Sequence, residues 1–231
     1  MPDIVHYTLE EKVAVIRMDD GKANALSVEM IDGLLAALTR AEEEASAVVL
    51  VGRTDRFCAG FDLRVMMSGP EQAKALLGRG SELLLRLYGA TLPLVIACTG
   101  HAMAGGALVV LTGDTRIGAQ GAFKIGLNEV QIGLPVPVLA MEFARSRLTP
   151  AEMTRATLQA QIYTPDEAVR AGYLDRVVAA DELQAAAVAE GTRLGAMARS
   201  AYKATKQRLR GVTIADIRAR MEEDMRTLMN P

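Results

Sequence analysis

Two short segments hold the groups best suited to chemistry, and in both the useful groups are backbone amides. In Phe57-Cys58-Ala59-Gly60-Phe61-Asp62-Leu63, the small residues Ala59 and Gly60 form a turn that a ligand can approach closely, with the Phe61 N–H directed outward. Gly100-His101-Ala102-Met103-Ala104-Gly105-Gly106 follows an apolar run and opens an apolar helix, where free N–H groups attract negative charge. Gly105 and Gly106 remove the side chains that would block an oxygen, so the Gly105 N–H is a second donor aimed where charge develops. Each segment also has a plainer reading. The first is an ordinary strand-to-loop turn, and the glycine pair of the second lets a helix pack closely on a sheet.

The carboxylate of interest is Glu129, in Gly126-Leu127-Asn128-Glu129-Val130-Gln131-Ile132-Gly133-Leu134-Pro135. Between Leu127, Val130 and Ile132, desolvation would lift its pKa and keep a proton available for transfer. On these residues alone, a solvated loop glutamate is the simpler account. With only His6 and His101 and no G-x-S-x-G elbow, a Ser-His-Asp hydrolase is poorly supported. Cys58 and Cys98 are too few for a disulfide framework or a zinc site and read as buried thiols, and no metal site is expected. Asp62 and Asp114 read as turn or cap carboxylates.

These segments need a scaffold, and periodicity supplies one. Residues 4–9 and 12–18 alternate apolar and polar, as a hairpin does. Ser27 can cap a helix to about residue 46, with Met30, Ile31, Leu34, Leu35 and Leu38 on one face. Val48-Val49-Leu50-Val51 and Leu94-Val95-Ile96-Ala97 lack alternation and predict strands covered on both faces. A helix over 71–88 lies between them; a helix from Gly105 to about Thr112 and strands near 115–118 and 123–125 follow. This is an α/β order. Helices are predicted over 138–147, 150–159, 165–171, 182–208 and 214–229, interrupted by a strand over 174–178. The division is a core over residues 1–178 and a helical region over 179–231, packed on its own or a neighbouring subunit.

Half of the 231 residues are apolar, which suits one large folded domain. With 26 basic and 28 acidic residues, the net charge of -2 gives no reason to expect nucleic acid as a partner. Neither a signal peptide nor an apolar run long enough to cross a membrane is visible, so a cytoplasmic protein without a membrane partner is expected.

Taken together, the two amide segments resemble the crotonase, or enoyl-CoA hydratase/isomerase, superfamily. Lys22-Ala23-Asn24-Ala25-Leu26 is similar to its early N-A-L motif, and Leu92-Pro93-Leu94-Val95-Ile96-Ala97-Cys98-Thr99-Gly100 to the strand before its second loop. Thr164-Pro165-Asp166-Glu167-Ala168-Val169-Arg170-Ala171-Gly172-Tyr173-Leu174-Asp175-Arg176-Val177-Val178 resembles a further family segment. The resemblance implies a crotonase-like spiral of β-β-α units with a C-terminal helical trimerisation region, assembled as a homotrimer or a dimer of trimers. It implies an acyl-CoA thioester as ligand, with CoA carried by the substrate and no separate cofactor. Phe61 and Gly105 match the oxyanion-hole amides; Lys22, Ala23, Asn24, Ala59, Gly60, Asp62 and Leu63 match where CoA is held; Gly106 and Leu108 adjoin the same site. Lys203, Lys206, Arg208 and Arg210 could meet CoA phosphates, though a solvated helix face is the simpler reading.

Hydratases of this family use two glutamates to hold water. Here the first position falls on Leu108, which can neither orient nor deprotonate water, and the second falls on Glu129. One Glu beside an oxyanion hole suits a 1,3-proton shift from C2 to C4 of a 3-enoyl-CoA, and the Gly-Leu-Asn-Glu string resembles mitochondrial-type Δ3,Δ2-enoyl-CoA isomerases. A one-Glu hydratase or other lyase and a catalytically idle acyl-CoA binder are the alternatives. Leu92, Thr99 and Ala104 depart from the family's usual Lys, Asn and Gly. The chain stops at Pro231, before the family's final segment, which implies weaker CoA binding or completion by a neighbouring subunit.

Overall fold

The N-terminal alternation folds as a hairpin: β1 (Val5–Glu10) runs antiparallel to β2 (Val13–Met18), reversing through Glu11 and Lys12, both at positive φ. A computed structural model describes residues 3–229. After the hairpin come α1 (Val28–Glu44), β3 (Ala47–Val51), β4 (Asp55–Cys58), α2 (Leu63–Met66), α3 (Pro70–Tyr88), β5 (Leu94–Cys98), β6 (Gly100–Met103) and α4 (Gly105–Thr112). The order continues with β7 (Thr115–Ala119), β8 (Ile125–Gly126), α5 (Val138–Arg147), α6 (Met153–Thr157), α7 (Pro165–Ala171), β9 (Arg176–Val178), α8 (Leu183–Gly195) and α9 (Arg199–Met229). Ser27 caps α1 as expected, its Oγ accepting the Met30 N–H at 3.1 Å.

Six strands form one sheet in the order β1-β2-β3-β5-β7-β9, parallel except for the first pair. Every residue of β3 and β5 is buried, because each face of the sheet carries a core. Val48 and Leu50 enter the larger core with α1 and α3, whereas Val49 and Val51 enter a smaller one closed by Leu183 and Ala187 of α8. The period of two thus partitions one apolar run between two cores. Among the described residues, no helix is long and apolar enough to cross a membrane.

A second sheet, β4-β6-β8, consists of three parallel strands, of which β8 lies at the end of the strand expected near 123–125 while β4 and β6 were not indicated. They are only two to four residues long, β4 begins with the exposed charges Asp55 and Arg56, and its register shifts before Cys58. Gly100 opens β6 because a Cβ there would lie 2.1 Å from the Asp55 carbonyl carbon.

The helix expected over 182–208 breaks instead, and the one expected over 214–229 is the end of a single longer helix. Gly195 ends α8 against Ser46, whose Oγ would lie 2.6 Å from a Cβ, while Gly211 meets only Gln207 at 3.9 Å and α9 passes through it. The helix expected over 150–159 shortens to α6, since Glu152 N–H is taken by a turn to Thr149 O at 3.0 Å. α9 packs on α3 and α5 of its own chain. Lys206 and Arg210 are therefore not on a solvated face. Lys206 Nζ donates to Leu92 O at 2.7 Å and Asp114 Oδ2 at 2.5 Å, and Arg210 reaches Asp114 Oδ1 at 2.7 Å and Tyr88 O at 2.6 Å.

Two buried cations share one carboxylate here, so removing it leaves both uncompensated. Asp114→Ala is expected to destabilise the fold by about 3–5 kcal/mol in urea unfolding. Arg226→Ala, which breaks an exposed pair with Glu223, should stay within about 0.5 kcal/mol of the parent.

Candidate active site

Each strand of the second sheet ends at one of the segments singled out above. β4 leads into Phe61, β6 into Ala104 and Gly105, and β8 into Glu129. Since the strands are parallel neighbours, the three segments leave the same edge, where ligands bind in open α/β sheets. Ala104 N–H donates to Gly126 O at 3.0 Å and ties the second segment to the third.

The first two segments touch through glycine. Gly60 has φ +94°, and a Cβ on it would lie 3.0 Å from Met103 O and 3.2 Å from Gly105 N. Leu26 N–H donates to Gly60 O at 2.8 Å and Asp62 N–H to Leu26 O at 3.3 Å, bracketing Phe61. Among the described residues, the N–H groups of Phe61 and Gly105 themselves have no backbone acceptor. Ala104 stands at φ 48°, ψ −119° before the fully buried α4, a conformation that costs a non-glycine residue about 1–3 kcal/mol. Gly106 serves a different end from contacting a ligand through an open face, because its Cβ would lie 2.0 Å from Cys58 O. It brings α4 down onto β4.

The side chain of Asn24 has a structural part. It is wholly buried at φ 53°, and its Nδ2 donates to Met18 O (2.9 Å), Arg56 O (3.1 Å) and Phe57 O (3.2 Å), so its side chain is not free to hold CoA. It anchors the approach to the first amide segment instead, helped by Ala59 N–H donating to Ala23 O at 3.1 Å. Lys22, Ala59 and Leu63 are exposed beside it. Asp62 is a cap, as expected, accepting the Arg64 N–H at 2.9 Å at the start of α2. Asp114 is a partly buried counter-ion, also accepting the Leu94 N–H at 2.8 Å.

Glu129 is only 7 % exposed, and its Oε2 has no hydrogen-bond partner among the described residues. Burial pushes its carboxyl above the ordinary range, offset in part by its own backbone amide. Its carbonyl is fixed by N–H groups of Ile132 (3.1 Å) and Leu134 (2.9 Å). Leu108 is buried and shares with Phe61 a narrow, mainly apolar cleft of about 40 Å³ between α3, α5 and α9. Leu84, Leu139 and Ile217 are among its walls, so a helix of the same chain covers this side. These wall residues, and the unpartnered buried Asn128 Oδ1 and Tyr173 hydroxyl, were not anticipated. Helical spacing marks Leu77, Ser81 and Leu84 as one face without saying that the face borders a cleft.

Other candidates fall away. His101 Nδ1 accepts the Lys124 N–H at 3.0 Å, and its ring lies edge-on to Phe123. Burial pushes the thiols of Cys58 and Cys98 up to about 12, which leaves them unreactive.

Two unclaimed N–H groups at the edge of a sheet from which a desolvated carboxyl also emerges define a site that can stabilise charge on an oxygen and move a proton. The model of the enoyl-CoA hydratase/isomerase family matches residues 8–229, and the chain belongs to that family, the crotonase superfamily of enzymes. It is 30 % identical over 223 residues to human mitochondrial enoyl-CoA delta isomerase 1, covering 94 % of this chain and 74 % of that protein. A probable enoyl-CoA hydratase of Bacillus subtilis is 30 % identical over 134 residues, 56 % of this chain and 52 % of the other. The crystal structure of an enoyl-CoA hydratase/isomerase family protein from Pseudomonas syringae superposes with a TM-score of 0.95 at 38 % identity, covering 98 % of each chain. The architecture is thus the α/β crotonase fold.

The buried carboxyl carries a stability signature. Its folded pKa is raised, so the unfolded chain loses this proton at lower pH than the folded one, and stability from this group falls as pH rises from the unfolded toward the folded value. Glu129→Gln removes that loss. Its Tm should exceed that of the parent near pH 8, with the gap narrowing as pH falls through about 4, where the carboxyl becomes mostly protonated in the unfolded chain as well. Equal Tm differences at both pH values would show that Glu129 is not desolvated in solution.

Proposed function

We propose that the chain is an enoyl-CoA isomerase that moves a double bond from Δ3 to Δ2 with Glu129 as its single acid/base. The Glu129 carboxylate removes a proton from C2 of the 3-enoyl thioester. The C–H electrons pass into the conjugated system and leave negative charge on the thioester oxygen, which accepts hydrogen bonds from the N–H groups of Phe61 and Gly105. Glu129 then returns the proton at C4 as the double bond settles between C2 and C3. The observation that carries this reading is the buried Glu129 carboxyl, whose Oε2 has no hydrogen-bond partner among the described residues, together with an aliphatic Leu108 where the family's hydratases place their first glutamate.

CoA enters as part of the substrate, and no separate cofactor is needed. Lys22, Ala23 and the backbone over Ala59, Gly60, Asp62 and Leu63 are the surface offered to CoA. Asn24 contributes by holding that surface in place. Assembly as a homotrimer or a dimer of trimers through the helical region over 179–231 is supported by Leu209 and Val212, which stand 74 % and 81 % exposed on α9.

The test is to incubate the protein separately with 3-hexenoyl-CoA and 2-hexenoyl-CoA. Conversion of the 3-enoyl to the 2-enoyl ester is expected, and Glu129→Gln should lower kcat by about 10²–10⁴-fold while CoA esters still raise the Tm. Hydration of the 2-enoyl ester without isomerisation would make the chain a one-Glu hydratase. Stabilisation by CoA esters with no turnover would make it an acyl-CoA binder.

A further inference from the structure

α3 contains two glycines, Gly78 and Gly80, in a stretch where alanine would favour the helix by about 1 kcal/mol at each position. Their surroundings differ. A Cβ on Gly78 would meet nothing within 4 Å, whereas one on Gly80 would lie 2.1 Å from Cε1 and 2.6 Å from Cζ of Phe61. The other edge of the same ring faces α4, since a Cβ on Gly105 would lie 3.2 Å from both Cδ2 and Cε2 of Phe61. The ring is therefore seated between two glycines on two helices, one edge against each. It cannot move away from α3 without moving onto the start of α4.

This seat matters because of what Phe61 and Gly105 hold. The Phe61 side chain leaves the same residue whose N–H is one unclaimed donor, and its far edge presses on the residue that supplies the other. We propose that Gly80 is a positioning residue for the oxyanion hole: by omitting a side chain it admits the Phe61 ring, and the seated ring sets the spacing of the Phe61 and Gly105 N–H groups. The inference rests on the reading that these two amides bind the thioester oxygen. A methyl group at position 80 must push the ring off its rotamer or displace the loop that bears it, and active-site donors tolerate displacements of only about 0.5 Å.

Four variants read this directly: Gly80→Ala, Gly78→Ala, Phe61→Leu, and Gly80→Ala combined with Phe61→Leu. Leucine keeps the backbone N–H and lacks the ring atoms that meet the new methyl group. With 3-hexenoyl-CoA, Gly80→Ala is expected to lower kcat by about 10–100-fold with KM within about twofold, while Gly78→Ala matches the parent. In the Phe61→Leu background, the same Gly80→Ala change should have little effect on kcat. That loss of additivity is what a ring contact produces and a general weakening of α3 does not. A Gly80→Ala enzyme with parental kcat, or an equal loss in both backgrounds, overturns the proposal. If the parent protein turns over no enoyl-CoA, the isomerase reading fails by itself. A crystal structure of Gly80→Ala then decides the seat: a displaced Phe61 amide upholds it, and an unmoved one overturns it.

Discussion

The site depends on how closely the start of α4 can lie against the end of β4. Gly106 lies so near the Cys58 carbonyl that a Cβ is excluded, and Gly60, at φ +94°, lies near enough to the Met103 carbonyl and the Gly105 nitrogen that a Cβ there would be crowded as well as strained. Free N–H groups at a helix start are common; two of them from different segments side by side are not. Their proximity follows from omitted side chains rather than from any attractive contact, so the geometry is set by steric exclusion in a tightly packed interior. Asn24 adds the one polar clamp, joining the end of β2 to β4 through three carbonyls.

Buried charge is treated in two opposite ways in this molecule. Around Asp114, every charge has a partner: Lys206 and Arg210 complete the carboxylate and bind carbonyls at the ends of other elements. The result fastens α9 to the core. Glu129 has nothing comparable on its Oε2, and burial dominates its pKa. An uncompensated carboxyl is a poor structural element, and strain at Ala104 adds a second local cost in the segments that leave the same sheet. The two cores that flank the large sheet hold those segments in place.

The parts that were legible before folding are those with long repeats. The hairpin, α1, α3 and the buried runs of β3 and β5 each extend over several periods, and their apolar positions could be counted. The strands β4, β6 and β8 are too short for any period to emerge, although they carry the whole site. Motif residues fared differently again. The family pattern singled out Phe61, Gly105 and Glu129 by position, but the same pattern could not show that the Asn24 side chain is spent on backbone carbonyls. Nor could it show the break between α8 and α9, because that break depends on Gly195 meeting Ser46, a residue distant in sequence.

Leu108 influences the chemistry by what it withholds. In a two-glutamate site, a carboxylate at position 108 would couple to the second one, and the two would share protons as a pair, one ionising easily and the other with difficulty. With leucine there, the basicity of Glu129 is set mainly by desolvation. A carboxylate raised in this way is a stronger base toward a carbon acid than a solvated one, and once protonated it loses the charge that burial penalises. In the proposed isomerisation, burial would thus favour uptake of the proton from C2, while the Phe61 and Gly105 amides would hold the charge left behind on the oxygen.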